Sequence, residues 1–168
     1  MSLTMYDISI PMFINNFNIL SNILLKAERH AEKRKIDKSV FINARLYPDM
    51  LPLSKQIQIG TDMVRLGVGR LAGIEAPSFP DDEETFSELQ KRLSKTVTFL
   101  KKVKAKQIDD SEVKKIEFKI RKRTFKFKNG QAYLINWIIP HFFFHMTTSY
   151  DILRANGVNL GKRDFVKM

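Results

Sequence analysis

Cysteine is missing from all 168 residues, and its absence excludes several kinds of chemistry. Without thiols the chain forms no disulfide, no thiolate metal site and no cysteine nucleophile. We therefore expect a protein of a reducing compartment, the cytoplasm. A phosphate loop, a GxGxxG motif and a GxSxG elbow are also missing, so nucleotide binding by a standard loop and serine hydrolysis have no support.

Long hydrophobic runs are scarce as well. The most apolar stretch, residues 132–146, is shorter than the roughly 20 residues of a membrane span, and it contains Pro140 and two histidines. In the N-terminal residues 1–12, Asp7 stands where a secretion signal requires an unbroken apolar segment, and no basic residue precedes it. We expect neither a membrane segment nor export.

Negative charge is the minority charge, with 18 Asp and Glu against 29 Lys and Arg, a net +11. With 43% hydrophobic residues the composition is that of a globular protein. No repeat or linker divides the sequence, so we expect one domain over residues 1–168. The excess of positive charge favours polyanionic partners, but the basic residues are spread along the chain, and we expect most of them to form solvated faces.

Apolar residues recur at helical spacing in four segments. These segments are residues 12–35, residues 53–73, a third that begins at the acidic run 81–84 and ends near 103, and residues 132–156. We expect a loop over residues 37–52, a kink or break at Pro140, and a left-handed cap at Gly157. The predicted fold class is all-α, a four-helix bundle.

Before the last predicted helix the period changes from helical to alternating. In residues 116–121 and 125–128, apolar and charged side chains alternate, which is typical of a β-strand with one buried face. We predict a small β-hairpin that turns near residues 121–124, with one face on the bundle and the other strongly basic. The basic face is a candidate for phosphate binding, although nucleic acid is the less favoured partner at this point.

Three glycines interrupt the second predicted helix at positions 60, 67 and 69. Each costs roughly 1 kcal/mol relative to alanine in a helix interior. We therefore expect that another element, or a ligand, approaches this helix closely.

Two histidines form the sharpest chemical pattern in the chain. His141 and His145 stand four residues apart, so both imidazoles can lie on one helix face and share a metal ion. Asp62 or Gln58 on the second helix, or His30 on the first, could supply a third ligand. The alternative is structural: the histidines pack with the neighbouring phenylalanines and hydrogen-bond to nearby groups.

Asp62 also has two interpretations. It lies beside a buried stripe, where a carboxylate needs a partner that offsets its desolvation. An ion pair with an arginine and a ligand-facing role both meet this requirement. The loop residues Arg45, Asp49 and Asp81 are expected to form caps or ion pairs, although loops also carry function.

Several stretches resemble a bacterial and fungal family known only as domain of unknown function 1993. They are residues 44–50 (ARLYPDM), 70–77 (RLAGIEAP), 140–154, 156–158 (NGV) and 161–165 (GKRDF). That family is similar in fold to the DinB and YfiT group, whose members are four-helix bundles of up-down-down-up topology and often dimers. The resemblance implies the same topology and a homodimer.

The resemblance also implies a metal. DinB-like proteins usually bind a divalent ion through three histidines, one on the second helix and two on the last. His145 matches the pattern of the closer family, in which Asn is common at position 141. Because the second helix here has no histidine, Asp62 or Gln58 would replace it, with Zn, Ni, Mn or Fe as the ion.

Our leading hypothesis from the sequence is a DinB-like protein with a metal or small-molecule pocket between the second and fourth predicted helices, lined by Asp62, His141 and His145. Further pocket or motif candidates are Gln58, Arg45, Asp49, Tyr150, Arg154, Lys162, Arg163 and Asp164. An enzyme of this group would use metal-assisted thiol transfer or hydrolysis, but no reaction and no ligand follow from the sequence. The alternatives are a non-catalytic module that binds nucleic acid or another polyanion through its basic face, and a structural homodimer.

Overall fold

Helices dominate the computed structural model, which describes residues 3–166. The long helices are α1 (Ile10–Arg34), α3 (Leu53–Ala72), α4 (Phe86–Leu100) and α7 (Ile139–Ala155), and the short ones are α2 (Lys38–Ile42), α5 (Ala105–Asp109), α6 (Gly130–Tyr133) and α8 (Lys162–Phe165). Strands β1 (Ile116–Ile120) and β2 (Arg123–Phe127) form one antiparallel hairpin. The prediction of a helical protein with a hairpin before its last long helix is confirmed.

The four long helices share one apolar core. Helix α3 packs against α4 and α7, and α1 packs against the same two helices. At the centre, the Phe142 ring meets the rings of Phe13 and Phe17 edge-on, with centroids 5.1 Å apart in both pairs. The predicted apolar stripes therefore face one another, while the up-down-down-up order stays a prediction. No helix within residues 3–166 has the length and apolar character needed to cross a membrane.

The segment 37–52, which we predicted to be a loop, contains helix α2. Its start is fixed by Asp37, whose side chain accepts a hydrogen bond from the Ser39 backbone N–H at 2.8 Å. The helix then buries Phe41 and Ile42 against the core. An aspartate cap followed by two apolar residues was enough to form a short helix that the prediction missed.

The third predicted helix also begins later than expected. Helix α4 starts at Phe86, with Thr85 as its N-cap and Glu88 completing a capping box. The acidic run 81–84 lies before the helix, so the predicted start in that run was wrong. The side chains of Asp81 and Glu83 pair with Arg92.

The last predicted helix is interrupted. After α6, residues Leu134–Ile138 form a π-helical segment, and α7 then begins at Ile139 with Pro140 in its first turn. The break expected near Pro140 is present, and Gly157 has a left-handed φ of 86° after the helix, as predicted. The short helices α5 and α8 were not predicted.

Each of the three helix glycines in α3 allows a close approach of another part of the chain. A Cβ at Gly60 would lie 3.1 Å from Cβ of His145, and one at Gly67 would lie 2.6 Å from Cδ1 of Ile138. A Cβ at Gly69 would lie 3.1 Å from Cβ of Ala76. Within residues 3–166, the partners of these glycines are other elements of the protein.

Candidate functional site: histidine pair, arginine cluster and basic hairpin

His145 lies buried on α7, against the middle of α3. The Gln56 side chain donates from Nε2 to the Leu51 carbonyl at 3.0 Å, so its Oε1 faces Nδ1 of His145 at 2.7 Å. Because an amide oxygen only accepts, His145 carries its proton on Nδ1. The Nε2 atom of His145 therefore holds a lone pair.

His141 is oriented by the same principle, one turn earlier on α7. Its Nδ1 lies 2.7 Å from the backbone oxygen of Trp137, which can only accept, so this nitrogen also donates. The imidazole lies against the Trp137 ring, with centroids 4.3 Å apart. Both histidines thus use Nδ1 for a hydrogen bond inside the protein.

Burial sets the charge of His145. Desolvation, together with the nearby charge of His141, lowers the pKa of His145 from 6.5 to about 4. His145 is therefore neutral at physiological pH, the form in which an imidazole accepts a proton or binds a metal.

The space beside His145 is small. The cavity between α1, α3 and α7 that the imidazole lines, together with Gly60, Thr61 and Ser149, has a volume of about 10 Å³. One water molecule needs about this much space. In this conformation the contact between α3 and α7 holds a packed histidine, with no room for an organic ligand.

Asp62 faces away from the histidines. It lies two residues after Gly60, a rotation of about 200° on an α-helix, so it points toward α4 while Gly60 points toward α7. Its Oδ1 lies 2.7 Å from Nη2 of Arg65 and 2.6 Å from Nη2 of Arg92. Of the two interpretations of Asp62, the ion pair with arginine is the one found in the structure.

The donor set does not complete the three-ligand centre that the DinB resemblance implies. Within residues 3–166, no three His, Asp or Glu side chains converge so that they could hold an ion. His141 and His145 supply two imidazoles, but the carboxylate of Asp62 is held by two guanidinium groups. The Gln58 side chain lies on the α4 side of α3, where its Nε2 donates to Glu83 at 2.9 Å and its buried Oε1 has no partner within residues 3–166. The residues of this chain therefore do not fit a resident metal of that type.

A buried ionic cluster lies on the α4 side of α3. We call it the Arg92 cluster; its members are Asp62, Arg65, Asp81, Glu83 and Arg92. The Arg92 side chain is 1% exposed and reaches the Glu83 carboxylate at 2.9 Å and Thr61 Oγ1 at 2.7 Å. Such a cluster costs desolvation energy that its hydrogen bonds must offset, so it specifies geometry more than it adds stability.

The cluster also holds the loop between α3 and α4. Arg92 donates to the Pro80 carbonyl at 3.1 Å, and Arg65 donates to the Pro77 carbonyl. Both guanidinium groups lie over the Phe79 ring, 4.6 Å from its centroid for Arg65 and 5.3 Å for Arg92. The loop is therefore fixed from beneath by two buried arginines.

The remaining predicted site residues are scattered. Arg45 is exposed and donates to the Pro48 carbonyl at 3.3 Å, and Asp49 is exposed in the same loop. Tyr150 packs edge-on against Phe165, and Arg154 is exposed near the end of α7. The structure does not bring these residues to the histidine pair.

The motif at residues 162–164 forms most of α8. Asp164 pairs with Lys26 of α1 at 2.5 Å and accepts from the Gly161 backbone N–H at 2.9 Å. The hydrogen bond from Lys26, followed by the backbone bond, lowers the pKa of Asp164. Lys162 and Arg163 are exposed beside it, so this motif attaches α8 to α1.

The hairpin packs its aromatic face against the chain that follows it. Phe118 stacks on Phe125 at 5.5 Å between centroids, and Phe125 lies 4.7 Å from Trp137. The guanidinium of Arg70 on α3 lies 4.2 Å above the Phe118 ring and donates to the Tyr133 hydroxyl at 3.0 Å. The rings thus face the bundle, as the alternation predicted, and the charged side chains face outward.

Sequence reasoning missed four residues that shape these sites: Gln56, Arg65, Phe79 and Arg92. A signal was present for Arg92, because it lies three residues after Leu89 and four before Thr96, at the edge of the buried stripe of α4. A cation at such a position requires buried partners. For Gln56 and Phe79 the sequence carries no comparable signal.

These observations define the protein as a helical bundle with an inserted hairpin and, on its last long helix, one buried and one half-buried imidazole. The chain belongs to the family described as domain of unknown function DUF1993, whose model matches residues 5–166. It is similar to a DinB family member protein from Shewanella denitrificans of known crystal structure, with 33% sequence identity, a TM-score of 0.86, and coverage of 97% of this chain and 92% of that one. No curated protein matches the chain.

Proposed function

We propose that the protein is a non-catalytic module that binds nucleic acid through the outer face of its hairpin. The supporting observation is the concentration of charge. Residues 101–128 contain 12 Lys and Arg but only 4 Asp and Glu, so eight of the eleven net positive charges fall in one sixth of the chain. Such a cluster attracts a polyanion over distances longer than a single contact.

The hairpin presents half of these cations, the six in residues 119–128, on a docked scaffold. The cations of the outer face and of the turn are exposed; they are Lys119, Arg121, Lys122, Lys126 and Lys128. Lys126 lies 3.3 Å from Glu117 across the strand pair, in a contact exposed to solvent that adds little stability. The charges are therefore available to another molecule, and the aromatic face limits the movement of the strands that carry them.

The aromatic rings of the hairpin point toward the bundle, and this direction indicates how the outer face would contact nucleic acid. Phe118, Phe125 and Phe127 pack against Tyr133 and Trp137, so they do not form a platform for stacked bases. Binding would rest on phosphates, and it would be strongly salt-dependent and weakly sequence-dependent. The same absence of outward rings disfavours insertion into a lipid interface.

The decisive experiment measures fluorescence anisotropy of a labelled duplex of about 20 base pairs over a series of salt concentrations. We expect the logarithm of the affinity to fall with the logarithm of salt, with a slope of about −3 to −4 for four phosphate contacts. Charge reversal of Lys119, Arg121, Lys126 and Lys128 is expected to remove this binding. A matched control reverses four exposed cations elsewhere, Arg29, Lys33, Lys91 and Arg154, and should keep most of it.

Three results would overturn the proposal. One is the absence of binding at low salt. Another is an equal loss in the two quadruple variants, which would make net charge the cause. The third is stronger binding to anionic phospholipid vesicles than to the duplex, lost in the same hairpin variant.

Metal binding by His141 and His145 stays a separate prediction. Because both imidazoles use Nδ1 inside the protein, Nε2 is the atom that a divalent ion would bind, but two ligands give weaker binding than three. Metal analysis of protein purified without a histidine tag tests this prediction, and so does the change in melting temperature on adding Zn²⁺. The predicted homodimer is tested independently by sedimentation, against a chain mass of 19.6 kDa.

A further inference from the structure

A groove lies between the loop after α3 and the outer surface of α4, away from the histidines. Its volume is about 780 Å³, within the range of small-molecule sites. Apolar side chains from both sides line it, namely Ile74, Ala76, Phe79 and Phe99. The groove is formed in part by residues 74–77, the end of the RLAGIEAP motif that carried the family resemblance.

The loop that forms one wall of this groove is fixed in place. The backbone N–H of Ile74 donates to the Gly69 carbonyl at 3.0 Å, and the missing side chain of Gly69 leaves room for Ala76. Further along, Arg65 and Arg92 donate to the Pro77 and Pro80 carbonyls, as described above. The groove is therefore already formed without a ligand, which lowers the entropic cost of binding.

Two lysines give the groove its charge. Lys95 and Lys102 line it, and within residues 3–166 neither forms an ion pair. They are seven residues apart, about 10 Å along the axis of α4 and its last turn. Glu75 is the single acidic residue among the lining side chains. An apolar floor with two unpaired cations at its edge is complementary to an anion with a hydrophobic body.

We propose that this groove binds a small amphipathic carboxylate, such as a medium-chain fatty acid. The apolar body would lie on Phe79 and Phe99, and the carboxylate would meet Lys95 or Lys102. The hydroxyl group of Ser94 on the same wall can donate to it as well, whereas the Thr98 hydroxyl donates to the Ser94 carbonyl at 2.9 Å. This site is independent of nucleic-acid binding by the hairpin.

The test uses decanoate as the probe, with backbone amide NMR shifts of the whole chain as the readout. We expect saturable shifts at residues 74–79 and 94–102, and weaker binding of decylammonium, which has the same tail and the opposite charge. Lys95→Gln with Lys102→Gln should weaken decanoate binding about tenfold, the effect of two ion pairs of the exposed kind. Lys91→Gln with Lys101→Gln removes the same charge from the same helix outside the groove and should change binding less than twofold.

A second pair of variants tests the volume rather than the charge. Thr98→Trp fills the groove from an exposed helix position and should abolish the shifts, whereas Ser87→Trp, also exposed on α4 but outside the groove, should leave them intact. Melting temperatures of both variants show whether they fold. The proposal is overturned if shifts do not saturate, if decylammonium binds as well as decanoate, or if the paired variants behave alike.

Discussion

Nη2 of Arg92 lies 2.6 Å from Oδ1 of Asp62, a contact between α4 and α3 across 30 positions of sequence. It connects the two helices through charged groups, of which the arginine is almost completely buried. The same guanidinium reaches Glu83 in the loop, so one side chain links two helices and the segment that joins them.

Loss of Arg92 should therefore destabilise the fold strongly. Arg92→Met is expected to lower the free energy of unfolding by about 3 kcal/mol, because it leaves Glu83 without a cationic partner and Asp62 with Arg65 alone. Urea unfolding followed by circular dichroism measures the change. Lys91→Met, next to it but exposed, serves as control and should cost no more than about 0.5 kcal/mol. Similar losses of unfolding free energy in the two variants would contradict the interpretation of Arg92 as a buried link between helices.

His145 should make stability depend on pH. Because its pKa is about 4 in the folded chain and near 6.5 when unfolded, the unfolded state binds more protons between these values. The contribution of neutral His145 to the free energy of unfolding is fully present above pH 6.5 and decreases as the pH drops toward 4. At pH 5 the loss from this group is about 2 kcal/mol. Urea unfolding at pH 8 and pH 5 gives the difference, which should be smaller in His145→Gln.

His30→Gln is the matched control for that experiment. It removes a half-buried histidine from α1 that packs edge-on against Phe41 and leaves His145 unchanged. The pH dependence should persist in this variant. A direct NMR titration that placed the pKa of His145 near 6.5 would refute the prediction.

Gly130 should be intolerant of any side chain. A Cβ at this position would lie 2.1 Å from the backbone oxygen of Ser111, which cannot rotate away as a side chain can. Gly130→Ala is therefore expected to destabilise the fold by about 3 kcal/mol or more, although alanine favours helices. Gly161→Ala meets no atom within 4 Å and should be nearly neutral. Thermal unfolding compares the stability of the two variants. If Gly130→Ala were as stable as the parent chain, the close contact between Gly130 and the Ser111 carbonyl would be wrong.

Substitution of Arg121 should affect the stability of the hairpin and its proposed binding to nucleic acid in different ways. It occupies the turn with a left-handed φ of 53°, where glycine is favoured over any L side chain. Arg121→Gly should leave stability unchanged or raise it by up to about 1 kcal/mol, while it weakens binding to the duplex. Lys122→Gly, its neighbour in the turn, should weaken binding without the gain in stability. If Arg121→Gly destabilised the protein and left binding intact, the interpretation of the turn would be wrong.

The sequence predicted the framework of the fold well, because each long helix has an apolar stripe with a clear period. Leu53 to Ala72 is helical as expected, and His145 meets the first half of that helix at Gln56 and Gly60. The alternation in residues 116–127 predicted both the hairpin and the direction of its rings. These patterns are local, so a single sequence contains them in full.

The candidate site was harder to predict because its partners are distant in sequence. Asp62 has the same local pattern whether it binds an ion or pairs with Arg92, and that choice depends on how α3 is rotated against α4. The small volume beside His145 likewise depends on packing between helices. The π-helical segment could not be predicted, since its residues also fit a continuous α-helix.

That segment, Leu134–Ile138, sets the rotation of everything after it. A π-helical turn holds one residue more than an α-helical turn, and each residue turns an α-helix by about 100°. If these five residues formed a regular α-helix instead, α7 would be rotated by about a quarter turn, which would carry Phe142 away from Phe13 and His145 away from Gln56. Deletion of one residue here would instead leave an ordinary α-helical turn and keep both contacts. The extra residue is thus accommodated within one turn, and the apolar face of α7 stays directed at the core.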